Sequence, residues 1–357
     1  MELRGLILAG GAGTRLRPIT HTSAKQLVPV ANKPVLFYAL EAFAEAGIRE
    51  VAVIVSPESH DEIAAAAGDG SRFGLSLAYV VQDAPRGLAH AVLTAEEALG
   101  SSAFVMYLGD NLLRDGISSL VERFRSAEPD ALILLQHVPN PSQYGVAELD
   151  GDRVVQLTEK PPQPRSDLAL VGVYMFTPAI FDSCRAIAPS ARGELEITDA
   201  IQQLIDRGLR VEPHVVTGWW KDTGQWEDML EANRLVLDAL QPDEIAGTLD
   251  DTRLEGRVEV GEGAVLERCH VRGPVVIGPG ATIRDAYIGP YTAIGAGCEI
   301  DHAEIEHSIL LEGAKVLHLD ARMEGSLIGR DTVIERSDAR PRAHRFLVGD
   351  SSRIRIL

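Results

Sequence analysis

Along the first two thirds of the chain, short apolar runs alternate with stretches whose apolar residues recur at helical spacing. Leu6-Ile7-Leu8-Ala9 is an uninterrupted apolar run, the pattern of a strand buried on both faces of a parallel sheet. The same reading predicts strands at Glu50–Ser56, Leu75–Gln82, Ala103–Leu108, Ala131–Val138 and Val171–Phe176. It predicts helices at Val35–Ala46, Ser59–Ala67, Leu88–Leu99, Ile117–Ser126 and Thr198–Arg207, four of them closed by Gly47, Gly68, Gly100 and Gly208. Gly145–Leu149 and Arg153–Thr158 flank Asp150-Gly151 as a hairpin. Alternating strands and helices of this kind predict an α/β fold around a mixed, mostly parallel sheet.

From Val258 the pattern changes. Val260, Ile277, Ile294, Leu311 and Ile328 recur every 17 residues, as do Leu266, Ile283, Ile300, Leu317 and Ile334. Val271, Ile288 and Ile305 form a third row that breaks where the next step lands on Arg322. Three inward aliphatics per turn predict a solenoid whose coil has three short parallel faces. It resembles the left-handed parallel β-helix of hexapeptide-repeat proteins. The expected division is therefore residues 1–240, a linker at 241–256, and a β-helix with terminal tail at 257–357, the tail Ser337–Leu357 being arginine-rich.

Composition narrows the chemistry. A net charge of −18 argues against a nucleic-acid surface, which wants a basic face, but not against a nucleotide held in a local positive pocket. No apolar stretch is long enough to span a membrane and no signal-peptide core opens the chain. Cys184, Cys269 and Cys298 are widely spaced and odd in number, which suits a reducing cytoplasm and no cysteine metal site. Only five of the 34 basic residues are lysines, and Lys25, Lys33, Lys160 and Lys221 fall in segments selected on other grounds.

The turn Gly10-Gly11-Ala12-Gly13, between the first strand and Thr14-Arg15-Leu16, lets backbone N–H groups approach an anion, and a helix start beyond it would favour negative charge. Arg15 and Lys25 bring cations to the same place, so a phosphate-rich ligand is expected. Neither the Walker nor the dinucleotide template fits, because Gly13-Thr14-Arg15 stands where those patterns want other residues. Asp110, at the end of FVMYLGD, and Asp222, in GWWKDTGQWEDMLEA, read singly as a turn former and a helix N-cap. Together they form a pair able to hold one Mg2+ against a triphosphate.

The run GGAGTRLRPIT followed by KQLVPVANKP resembles the signature of the sugar-1-phosphate nucleotidylyltransferases, and the likeness extends over about residues 3–240. The resemblance implies a Rossmann-like nucleotidyltransferase domain in which Arg15, Lys25 and Lys160 are catalytic. It gives Gly10, Gly11, Gly13, Thr14, Arg15, Gln82, Pro85, Gly87 and Asp110 to the nucleotide, with Gln82 on the pyrimidine edge. It gives Gln26, Leu108, Tyr144, Gly145, Glu159, Lys160, Val171 and Gly172 to the sugar phosphate, and Asp110 and Asp222 to Mg2+. The block RGELEITDA (Arg192–Ala200) is expected to shape the sugar side or simply to start a helix. With its fused solenoid the chain resembles the long form of the thymidylyltransferase branch, and that resemblance implies dTTP and glucose 1-phosphate, with UTP or another hexose 1-phosphate as the alternative. A non-catalytic sugar-nucleotide-binding regulatory subunit is the rival of another class. The solenoid is expected to mediate homo-oligomer assembly; His270, His302, His307 and His318 are the candidate bases had it an acyl site.

Overall fold

A computed structural model of the chain describes residues 2–241, 245–336, 348, 352 and 354. Two compact units are present. The first comprises Met1–Ala12, Ser23–Leu27 and Val35–Asp222; the second comprises Gly13–Thr22, Val28–Pro34 and Thr223–Leu357. The division differs from the expected cut near residue 240, because two excursions of the signature segment belong with the second unit.

The first unit is built on a nine-stranded sheet. Ala103–Leu108, Leu3–Leu8, Glu50–Val55 and Ser76–Val81 are parallel neighbours in that order, the last at the sheet's edge. Apolar residues point both ways from them: Ile7, Val53 and Val105 pack beneath Val35–Glu45, while Leu6, Ile54 and Phe104 pack against the opposite layer around Val92 and Ile201. A sheet covered on both faces needs such unbroken apolar strands. Leu168–Phe176, buried throughout, runs antiparallel to Ala103–Leu108 and carries the sheet onward to Ala131–His137 and to the hairpin Gly145–Asp150/Arg153–Glu159. The predicted helix Leu88–Leu99 breaks at Ala95 into Leu88–Thr94 and Glu96–Leu99.

In the second unit three parallel sheets of short strands form the faces of the β-helix. Leu254 stacks on Val271, Val260 on Ile277 and Leu266 on Ile283. Strands Thr248–Asp250 and Arg253–Glu255 already belong to it, so the first coil occupies much of the stretch expected to be linker. The rows also depart from strict 17-residue counting. Ile294 pairs with Leu310 rather than Leu311, Ile300 with Val316 rather than Leu317, and Ile305 with Met323 rather than Arg322. The corner from Ile305 to Leu310 is one residue shorter than that from Ile288 to Ile294, and the corner from Val316 to Met323 is longer, so the rows rejoin at Ile328 and Ile334. The tail Ser337–Leu357 lies almost wholly outside the described residues. Among the described residues no helix is long and apolar enough to cross a membrane.

Candidate active site

Four parallel strands of the first unit end side by side. Leu8 is level with Leu108 and Ile54, and Val55 with Val81. Past these ends the Gly109 N–H donates to Leu8 O (2.9 Å), Ala9 N–H to Ile54 O (2.7 Å) and Gln82 N–H to Val55 O (2.9 Å). Gly10, Gln82 and Asp110 therefore emerge together at the carboxyl edge, where ligands of open α/β sheets sit.

Lys25 and Gln26 complete this edge. A Cβ on Gly11 would lie 3.4 Å from Lys25 Cε, and one on Gly109 would lie 3.5 Å from Gln26 Cγ. Gln26 is 1% exposed, and its Oε1 is buried without a hydrogen-bond partner among the described residues. The Lys25 ammonium is ion-paired to Asp110 Oδ2, and Asn111 Nδ2 donates to Asp110 Oδ1 at 2.9 Å. Burial alone would raise the Asp110 carboxyl; the Lys25 charge and these hydrogen bonds outweigh it and hold it below the ordinary carboxylate range.

Asp222 arrives from far along the chain. Trp220–Asp222 is a strand, not the helix cap, and pairs antiparallel with Asn111–Leu113 so that Asp222 faces Asn111. The cap of Trp226–Asp238 is Gln225. Trp220 Nε1 donates to Asn111 Oδ1 at 2.5 Å, locking the ribbon beside Asp110. Asn111, 1% exposed, was not singled out by sequence reasoning; its only signal is its place after Asp110 in LGDN. Two carboxylates brought to one ribbon offer hard oxygen donors, the set a divalent cation such as Mg2+ prefers. The two expected ligands thus come from neighbouring positions, Asp222 opposite Asn111 and Asp110 before it, with the Lys25 ammonium sharing Asp110.

Beyond Trp220 lies the side expected to hold sugar. The Tyr144 ring packs edge-on against Trp220, centroids 5.5 Å apart. Lys160 adopts a left-handed backbone (φ 40°) and donates its N–H to Tyr144 O at 3.0 Å, and its ammonium lies 3.7 Å from Glu159 Oε1. Glu159 accepts from Thr198 Oγ1 (2.6 Å) and Arg192 Nη2 (3.1 Å), both in the RGELEITDA block, which also starts the helix Ile197–Asp206. Leu108 closes its strand, while Val171 and Gly172 fall in the register shift of Leu168–Phe176 against Ala131–His137. Gly172 admits no side chain, since a Cβ there would be 2.6 Å from Asn111 Oδ1. Gly145 faces Glu159 across the hairpin.

On the other flank Gln82 Nε2 lies 2.9 Å from His90 Nδ1 and donates to Gly87 O at 3.3 Å. Gly87 has φ 102°, and a Cβ there would lie 2.4 Å from Leu195 O. Leu195 donates its N–H to Arg86 O (2.8 Å) and accepts from Ala89 (3.0 Å), bracing the loop that carries exposed Pro85.

Gly13, Thr14 and Arg15 belong to the second unit. The expected helix after the glycine turn is a single 3-10 turn, Thr14–Leu16, opening from left-handed Gly13 and held by Thr20 Oγ1 donating to Gly13 O at 2.7 Å. Leu16 is buried, whereas Thr14 and Arg15 are exposed.

Residues 4–239 match the family described as Nucleotidyl transferase. Over 99% of both chains the sequence is 56% identical to a glucose-1-phosphate thymidylyltransferase of Streptomyces antibioticus and 52% identical to one of Streptomyces griseus. The fold is similar to a crystal structure of UDP-glucose pyrophosphorylase in complex with UDP-glucose, with TM-score 0.59 and 27% identity, covering 67% of this chain and all of that one. With the family's model matched over residues 4–239, about two thirds of the sequence, and full-length relatives more than half identical, the chain belongs to the nucleotidyl transferase family.

Proposed function

We propose that this nucleotidyltransferase moves a thymidylyl group from dTTP to glucose 1-phosphate, giving dTDP-glucose and pyrophosphate. The observation that carries the reading is the pairing of Asp222 with Asn111, which brings two distant carboxylates to one edge beside Lys25. An oxygen of the sugar phosphate attacks the α-phosphorus and pyrophosphate leaves. Both reactants are anions, so alignment and charge neutralisation are the main tasks of the protein.

Lys160, on its left-handed backbone, holds the sugar phosphate, while Glu159, oriented by Thr198 and Arg192, accepts from sugar hydroxyls. Tyr144, Gly145, Val171 and Gly172 line the sugar; Gln82, Pro85 and Gly87 hold the base. Lys25 and, by the sequence resemblance, Arg15 with Gly13 and Thr14 serve the triphosphate and departing pyrophosphate. Asp110 and Asp222 would hold Mg2+, which would supply positive charge to neutralise the reacting phosphates. We assign the reaction to the cytoplasm, in keeping with three buried free thiols, and assembly of copies to the β-helix.

The likeness to a UDP-glucose complex supports UTP as a second donor. Thymine and uracil differ by one methyl, whose burial contributes about 1 kcal/mol, roughly a fivefold preference. The test is pyrophosphate release from each nucleoside triphosphate paired with several hexose 1-phosphates. The highest kcat/KM is expected for dTTP with glucose 1-phosphate. A preference for UTP favours the uridylyl reading, and no release with any pair favours the regulatory-subunit reading.

A further inference from the structure

The second half of the signature, VPVANKP, makes a ribbon that nucleotide chemistry does not explain. Pro29–Val30 and Lys33–Pro34 pair antiparallel, with Val30 opposite Lys33, around a two-residue turn. Both turn residues are left-handed, Ala31 at φ 47° and Asn32 at φ 62°, as a type I′ hairpin turn requires. An alanine in that conformation is strained, so the surroundings must hold it.

Within the second unit two asparagines do so. Asn32 Nδ2 donates to Ile294 O at 2.7 Å, and Ile294 lies in the coil strand Thr292–Ile294. Asn233, fully buried in the helix Trp226–Asp238, accepts from the Ala31 N–H at 2.9 Å and donates to Tyr291 O at 2.9 Å. A single amide thus ties the turn and the same coil to one helix. The other excursion ends on the same face of the solenoid: a Cβ on Gly329, just after Leu327–Ile328, would lie 3.4 Å from Ile19 Cδ1. Both parts of the signature that leave the first unit therefore rest on one β-helix sheet.

We infer that the β-helix is a positioning element for the part of the triphosphate loop that lies in its own unit, and that Asn32 and Asn233 are positioning residues in that hold on Arg15. A buried amide satisfied on both sides fixes its partners in one arrangement. Catalysis by alignment loses rate or substrate affinity when such support is loosened. The inference rests on the proposed reading of that loop as the triphosphate site.

Asn32→Gly is the clean probe, because glycine keeps the left-handed turn and only the bond to Ile294 O is lost. Asn233→Asp is the second, keeping an acceptor for Ala31 N–H while removing the donor to Tyr291 O. Steady-state kinetics against each substrate and a thermal melt are read together, with Arg322→Ala, which removes the ion pairs to Glu304 and Glu306 and the contact with the Tyr287 ring, as a control on the solenoid alone. The expected result for Asn32→Gly is a rise of at least fivefold in KM for the nucleoside triphosphate. KM for the sugar phosphate and the melting temperature are expected to stay unchanged, as are all kinetic constants of Arg322→Ala. An unchanged triphosphate KM in both asparagine variants overturns the inference, as does a loss of active protein that follows a lowered melt at constant KM. An inactive wild type would instead refute the functional reading beneath it.

Discussion

Asp110 is the residue on which most of the site converges. It sits between a strand end and the short ribbon Asn111–Leu113, with Lys25 on one oxygen and the Asn111 amide on the other. Because its carboxyl is depressed in the fold, the pair contributes stability above the unfolded carboxylate value of about 4, and that contribution is lost as pH falls through the lowered value. Thermal melts of the metal-free protein between pH 6 and 3 should therefore fall more steeply for wild type than for Asp110→Asn. Parallel curves would mean that the Lys25 pair contributes nothing to the fold. The cysteines behave oppositely: burial pushes Cys184 up to about 12 and Cys298 up to about 11, so all described thiols stay protonated at neutral pH.

At the scale of elements, the sheet was readable because each buried strand carries its apolar run locally; Ala103–Leu108 matches its predicted bounds. Asp110 and Gln82 were readable for the same reason, since a strand end marks the carboxyl edge without any long-range information. The ribbon joining Asp222 to Asn111 was not, because three-residue strands have no periodicity and this one depends on the Trp220–Asn111 bond. The solenoid was legible from its aliphatic rows, but fixed-period counting cannot see a short corner compensated by a long one. That difference is measurable. Val316 is buried and stacks between Ile300 and Ile334, whereas Leu317 is partly exposed. Val316→Ala should destabilise the protein by about 1–3 kcal/mol and Leu317→Ala by less, following the methyl groups removed from the core. Denaturant midpoints in the reverse order would contradict the pairing.

For the whole molecule the central problem is electrostatic. On the proposed reading a chain of net charge −18 brings together two anions, so the work would fall to a few local cations and to carboxylates able to accept a divalent ion. The motif residues named the candidate groups, but not that the signature divides between two units, since the ties to the β-helix run through asparagine side chains far apart in sequence. The most direct test is pyrophosphate release from dTTP and glucose 1-phosphate by wild type and Asp222→Asn, measured alongside circular dichroism. The account predicts an intact fold with turnover reduced by about a hundredfold or more, the size of losing one charge-stabilising group. Turnover equal to wild type would contradict it.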